Sequence, residues 1–338
     1  MSLPKHEIST ELFQPAQVRK ENKEVIARPS ISFWKDAWIR LRKNKAAVTG
    51  LIIIVFIALM AFIGPQMSKY GFNDQDLMRV NLPPKVQGLE NISFLGLDGV
   101  DIRGMDQYKL KQQKDYFWFG TDALGRDQWT RIWEGTQVSL LIAFVAAILD
   151  LLIGITYGGI SAFYGGKTDN YMQRFIEILI GIPNLVIIIL LILILKPGIT
   201  SIIIAMAISG WTGMARIVRA QILKLKGQEF VLASRTLGAG DKRLVSKHLI
   251  PNVLGPIIIT TTFTIPTAIF FEAFLSFIGL GLRPPTASLG SLVNEGFRSL
   301  QIFPHLMLIP SIIISLLMIS FNMLGDGLRD ALDPKMRK

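Results

Sequence analysis

The 338-residue chain is half hydrophobic, has positive mean hydropathy and carries a formal charge of +11. It has no cysteine and three scattered histidines (His6, His248, His305), which excludes disulfides and Cys-based metal sites and argues against a His-rich metal centre. Its apolar residues are bunched, in runs such as 46–64 and 199–210, and about 20 such residues cross a bilayer core. The fold class is an all-α polytopic membrane protein.

A mostly polar tail, 1–45, precedes the first apolar run, so that run reads as a retained anchor rather than a cleaved signal. Inside the tail, ISFWKDAWIRLRKNK places Ile31, Trp34, Trp38 and Leu41 on one helical face, with Lys35, Arg42, Lys43 and Lys45 able to reach acidic headgroups. That pattern predicts a helix lying on the inner membrane surface. The first transmembrane helix is 46–64. The segment 65–135 contains Pro83-Pro84, scattered Gly and Asp and no long apolar run, and is read as an extracellular cap over the spans. Five further spans are expected at 136–163, 172–195, 199–218, 253–279 and 305–325, forming a core of 136–325 followed by the tail 326–338. Lys196-Pro197-Gly198 divides the third span from the fourth, and Pro183 is expected to kink the third.

Six spans put both termini on one side. With that side cytoplasmic, its segments hold 24 of the 36 Lys and Arg when Arg174 and Arg216 are counted as cytoplasmic-edge residues, and only Lys196, Arg283 and Arg298 fall in short outer loops. The positive-inside rule therefore predicts cytoplasmic N and C termini and a cytoplasmic loop at 219–252. Basic charge at span ends is membrane sidedness, so no nucleic-acid partner is implied.

No P-loop, G-x-S-x-G or H-E-x-x-H motif occurs. The cluster DGVDIRGMD (98–106) is like a calcium loop only in composition and lacks the ligand order of one. The chain is thus expected to be non-catalytic, with neither metal nor cofactor of its own.

Ionisable residues inside spans are the remaining pointers. Asp150 in span two and Glu272 in span five are candidates for a polar translocation pathway, or else are paired groups that fix packing. Arg174 and Glu177, three residues apart, are expected to pair with each other. Gly154, Gly158, Gly159, Gly165 and Gly166 predict close helix packing. Pro256 and Pro266 in span five predict a kink or a broken helix.

The stretch LASRTLGAGDKRLVSKHLIPN (232–252) is the most informative. Gly238-Ala239-Gly240 reads as a helix C-cap and turn, Asp241 as the N-cap of a second short helix, and Pro251 as its end. Ala233, Ser234 and Gly238 present a small-residue surface, with Leu232, Leu237, Leu244 and Val245 embedded. Such a capped pair of helices predicts a docking element for a cytoplasmic partner rather than a solvated loop.

This stretch resembles the signature loop by which membrane subunits of ATP-binding-cassette (ABC) importers engage their ATPases. That pattern is Glu-Ala-Ala, three residues, Gly, nine residues, then Ile-x-Leu-Pro. Here Leu232-Ala233-Ser234 stands at the triplet, Gly238 matches, and His248-Leu249-Ile250-Pro251 closes it. Leu232, Ser234 and His248 depart from the pattern. Phe119-Gly120-Thr121-Asp122 with Gly125-Arg126-Asp127, Leu275–Val293, and Phe321–Pro334 extend the likeness. Together they resemble the C-type permease subunit of dipeptide/oligopeptide ABC importers, over nearly the whole chain outside 65–117.

The resemblance implies a type I ABC importer permease fold with six transmembrane helices, and half of a peptide translocation pathway. Its partners would be a second homologous permease, two ABC ATPases that bind ATP and Mg, an extracellular peptide-binding protein and the lipid bilayer. Coupling to the ATPases would fall to Ala233, Ser234, Arg235, Leu237, Gly238, Asp241, His248 and Pro251. The FGTDALGRD stretch is expected either to order the outer mouth or to form a capped turn, with Asp122 or Asp127 as N-cap to span two. Three other readings stand beside this one: a proton-coupled secondary transporter using Asp150 or Glu272, an ABC permease for nickel complexes or another small solute, and a membrane scaffold or receptor component.

Overall fold

The computed structural model describes residues 32–90 and 96–333. The described residues form helices joined by turns, and their only extended pairings are three isolated bridges between 85 and 127. Helix α1 (Phe33–Lys43) is followed at Asn44 by α2 (Lys45–Met67), where the Asn44 side chain accepts a hydrogen bond from the Ala47 N–H at 3.2 Å. Ala37 and Leu41 of α1 are buried, and Leu41 packs with Ala47 and Ala331. Leu41 thus parts from the expected lipid-facing side, on which Trp34 and Trp38 stay exposed. Arg42 lies 4.8 Å above the Trp38 ring. Residues 1–31 of the N-terminal tail, Ile31 among them, lie outside the described residues, as does Pro334.

The second span, α4 (Gln128–Tyr164), starts earlier than its apolar run. Asp127 caps it by accepting from the Trp129 N–H, and its first turns bury Trp133 and Arg131. Hydropathy alone could not place this start, because a charged residue extends a buried helix only where its counter-charges come from elsewhere in the chain.

The third span bends by 79° between α5 (Gly166–Gly181) and α6 (Asn184–Leu195), at the Pro183 anticipated to kink it. The fourth consists of α7 (Ile199–Ser209) and α8 (Trp211–Lys226), which meet at Gly210. Then come α9 (Glu229–Thr236), α10 (Asp241–Arg243), a π turn over Leu244–Leu249 and α11 (Ile250–Phe277). The capped helix α12 (Leu289–Phe297) leads to the last span, α13 (His305–Leu332). In length and apolarity five helices can cross a membrane, and six spans result if the bent pair is one.

Two details correct the sequence reading. Pro256 and Pro266 do not break α11, which runs through both. Thr260 donates its hydroxyl to the Pro256 carbonyl at 2.8 Å, an i−4 contact within the helix. The glycines of span two also divide by role. A Cβ at Gly158 would lie 2.3 Å from the Ala215 carbonyl oxygen of α8, a close backbone approach. Gly165 and Gly166 instead have positive φ, 67° and 56°, and make the α4–α5 turn rather than a packing surface.

Gly158→Leu should therefore wedge α4 from α8. Overpacking of this kind costs about 1–3 kcal/mol, so purified protein in detergent should show a lowered Tm. An unchanged Tm contradicts the close packing.

Candidate functional site

At the cap end of the bundle, the segment between α2 and α4 has its own small core of Leu82, Tyr108 and Phe117. Tyr70 stacks on Phe117 at 5.0 Å and donates its hydroxyl to Asp115 at 2.6 Å. Burial and that bond push the Tyr70 phenol up to about 12, while the same bond holds the Asp115 carboxyl below its usual range. The segment is tied to the spans where Trp129 donates to the Gly64 carbonyl at 2.7 Å and Ser68 donates to Asp127 at 2.6 Å. The carboxylates of the DGVDIRGMD cluster serve the chain itself. Asp101 accepts from the Arg103 and Met105 N–H groups at 2.9 Å and from the Gln107 amide at 2.8 Å, and Asp106 caps a short helix, α3 (Gln107–Leu110).

The FGTDALGRD stretch has two jobs. Asp127 is the N-cap of α4, one of the two candidates named for that role. Asp122 centres a buried ion network, receiving Arg126 Nε at 2.6 Å and the Arg131 guanidinium of α4. Glu295 of α12 receives Arg131 at 2.9 and 3.1 Å and Arg126 at 3.4 Å. Arg131 and Glu295 were not singled out from sequence. A lone arginine at the head of a buried helix was the available signal, because such a charge needs a partner.

Asp122→Asn strips the shared anion from two buried arginines and should cost about 3–5 kcal/mol, the range for breaking a buried pair. Glu295→Gln should cost less, since Glu295 is one-third exposed and Asp122 remains. Thermal unfolding of the two variants in detergent checks the order; equal losses contradict it.

At the opposite end lies the predicted docking element. Val231, Leu244 and Leu249 are buried in a cluster with Phe163, Val218 and Ile222, which seats the element on α4, α8 and the root of α11. At the end of α9 the Ala239 N–H bonds the Ser234 carbonyl at 3.1 Å and the Gly238 N–H bonds the Arg235 carbonyl at 3.0 Å. This is a Schellman end, and Gly238, with φ +85°, is the left-handed residue it requires. Apart from its two chain neighbours, nothing among the described residues lies within 4 Å of a Cβ placed on Gly238, so its outer side is open.

Several expectations for this element change. Asp241 is not an N-cap: Gly240 holds that position and Asp241 is the first helical residue, where its charge still favours the helix dipole. Pro251 does not end the helix. The π turn sends the Ile250 N–H to the Val245 carbonyl, and Pro251 follows it directly into α11. Leu244 is embedded and Val245 half-buried, but Leu232 and Leu237 point out, 49 % and 88 % exposed. Ala233, Arg235, Gly238, Asp241 and Pro251 are exposed, and Ser234 and His248 half-buried. The knuckle thus shows Phe230, Leu232 and Leu237 beside Arg235, Lys242 and Arg243.

Within the membrane the two acidic candidates part company. Glu272 is fully buried and takes hydroxyl hydrogen bonds from Ser139 and Ser276, each at 2.8 Å. Ser139 in turn accepts the Leu289 N–H at 3.1 Å, so Glu272 pins α4, α11 and α12 together. Asp150 instead lines a cavity of about 450 Å³ with Asn184, Ser209, Gly210, Thr260 and Thr264. Arg174 and Glu177 pair at 2.8 Å on an exposed face.

Apolar membrane-crossing helices, glycine-mediated packing and an exposed basic-apolar knuckle at one end define an α-helical multi-pass membrane protein. Residues 136–338 match the family described as binding-protein-dependent transport system inner membrane component, and residues 32–84 match the N-terminal TM domain of oligopeptide transport permease C. The oligopeptide transport system permease protein OppC of Bacillus subtilis (strain 168) is 46% identical over 98% of this chain and 99% of its own length. The dipeptide transport system permease protein DppC of the same organism is 43% identical over 98% of this chain and 95% of its own. OppC of Escherichia coli (strain K12) is 36% identical over 90% of this chain and 92% of its own. An inward-facing structure of the MetNI methionine ABC transporter shares the fold, with a TM-score of 0.50 at 20% identity over 60% of this chain and 96% of that one. The chain belongs to the family of binding-protein-dependent transport system inner membrane components, with the type I ABC importer permease fold.

Proposed function

We propose that this chain is the membrane-spanning permease subunit of an ATP-driven peptide importer. The observation that carries this is its near full-length identity to oligopeptide and dipeptide permeases. In this reading the chain supplies half of the translocation pathway, and a homologous permease supplies the other half. Two ABC ATPases, which hold the ATP and Mg, sit on the α9–Gly238 knuckle, and a peptide-binding protein delivers cargo at the cap end. The termini and the knuckle are cytoplasmic and the cap is extracellular.

The knuckle supports this assignment chemically. An exposed apolar group ringed by arginine and lysine suits a protein surface with an apolar cleft and an acidic rim. Closure of the ATPases would displace the knuckle, and the helices rooted beside it would carry that displacement to the cavity. Alternating access then follows from different contacts in the two states.

Substitution at Gly238 separates backbone shape from docking. Asn tolerates the left-handed region and adds a short side chain, whereas Trp adds bulk on the open side. Gly238→Asn should keep much of the ATP-driven peptide uptake in proteoliposomes holding the full transporter, and Gly238→Trp should lose ATPase assembly or uptake. Survival of both in Gly238→Trp contradicts the docking role. Uptake driven by a proton gradient with this chain alone contradicts the ATP-driven reading.

A further inference from the structure

The 450 Å³ cavity between α4, α6, the α7–α8 junction and α11 has an unusual hydrogen-bonding balance. Its hydroxyl donors are committed to the chain. Ser209 donates to the Asn184 side-chain oxygen, and Thr212 to the Ser209 carbonyl at 2.8 Å. Thr260, Thr264 and Thr267 donate to the carbonyls four residues before them, at 2.8, 3.1 and 3.0 Å. What these hydroxyls still offer to the cavity is acceptor lone pairs, with the Asn184 amide the side-chain donor on the same wall.

Asp150 sharpens that balance. It is 7 % exposed, and its Oδ1 is buried without a hydrogen-bond partner among the described residues. The carboxylate rests against the α7–α8 junction, where a Cβ on Gly210 would lie 2.5 Å from one oxygen and 2.6 Å from the other. The glycine is what leaves room for the acid. No Lys, Arg or His lines the cavity, so nothing on this chain's wall neutralises Asp150. An acidic group in a span, facing acceptors and lacking a counter-charge, is complementary to a ligand that brings N–H donors and positive charge.

We propose that Asp150, with the threonine and serine oxygens beside it, forms a subsite for an ammonium group, that of the N-terminus of a peptide in transit. This rests on the reading of the chain as a peptide permease. A single carboxylate without a preformed clamp would hold the ammonium long enough to orient the peptide and release it when the pathway reopens, as conduction through a multi-site path requires.

Saturation-transfer NMR tests this on the detergent-purified complex of both permeases and both ATPases, without the binding protein. Short alanine peptides and their N-acetylated forms are the probes, and co-purification of the ATPases reports that each variant is assembled. The free peptides should bind wild type, bind at least about tenfold more weakly to the near-isosteric Asp150→Asn, as loss of a charge-assisted hydrogen bond implies, and bind better than their acetylated forms. The acetylated pair keeps the test open in wild type even if Asp150→Asn does not assemble. Equal binding of free and acetylated peptides, no binding to wild type, or unchanged binding in Asp150→Asn overturns the subsite. Uptake of the same peptides by the complete transporter is the separate control. Its absence contradicts the peptide-permease reading, whereas its presence beside any overturning result contradicts the subsite alone.

Discussion

The helix that runs from Asp241 through the π turn and Pro251 to Phe277 is the constraint on which the rest of the molecule depends. Its first turns belong to the exposed knuckle, and its middle supplies Thr260, Thr264 and Thr267 to the cavity wall. A proline at this point would ordinarily clash with the carbonyl four residues earlier. The π turn widens the backbone just ahead of it and replaces the usual bond with the Ile250-to-Val245 contact. Continuity is preserved, so one helix runs from the knuckle to the cavity wall, a rod joining the two.

A rod transmits movement only if its surroundings hold it. At the knuckle, Leu244 and Leu249 seat it against α4 and α8. Deeper in the membrane, Glu272 is fixed by two serines and joins the rod to α4 and α12. At the cap end, α12 is bound through Glu295 to Arg131 and, through Arg131, to Asp122. Buried charge in hydrocarbon is expensive unless matched; Arg131 meets Asp122 and Glu295, and Glu272 is hydrogen-bonded by two serines. Asp150 is the acid left open to a cavity, and it sits where α7 meets α8 at Gly210.

Much of this was legible in the sequence. Apolar runs gave the six crossings because lipid demands them over a fixed length, and Pro183 marked the bend. Gly238 was readable as a turn because a left-handed residue ends a helix best when it has no Cβ. Three features were hidden for physical reasons. The early start of α4 depends on Arg131 meeting Glu295, far away in the chain. The different fates of Asp150 and Glu272 depend on which helices face them, since both are lone acids in apolar spans. The continuity past Pro251 depends on a π turn, which leaves no mark in residue type, so a proline that looked like a stop became part of the rod. Leu232 and Leu237 were misplaced for a related reason: apolar side chains on a short helix and its C-cap read as buried in their own chain unless a partner surface is invoked to receive them.

The most direct measurement weakens the rod at its π turn. Ser246 and Lys247 are exposed within the π turn, so replacing both with glycine removes little packing while loosening the backbone by roughly 1 kcal/mol per site. The readout is peptide taken up per ATP hydrolysed by the complete transporter in proteoliposomes. A rigid rod predicts that hydrolysis continues while this ratio falls several-fold. An unchanged ratio, with the ATPases still assembled, would contradict transmission through the helix from Asp241 to Phe277.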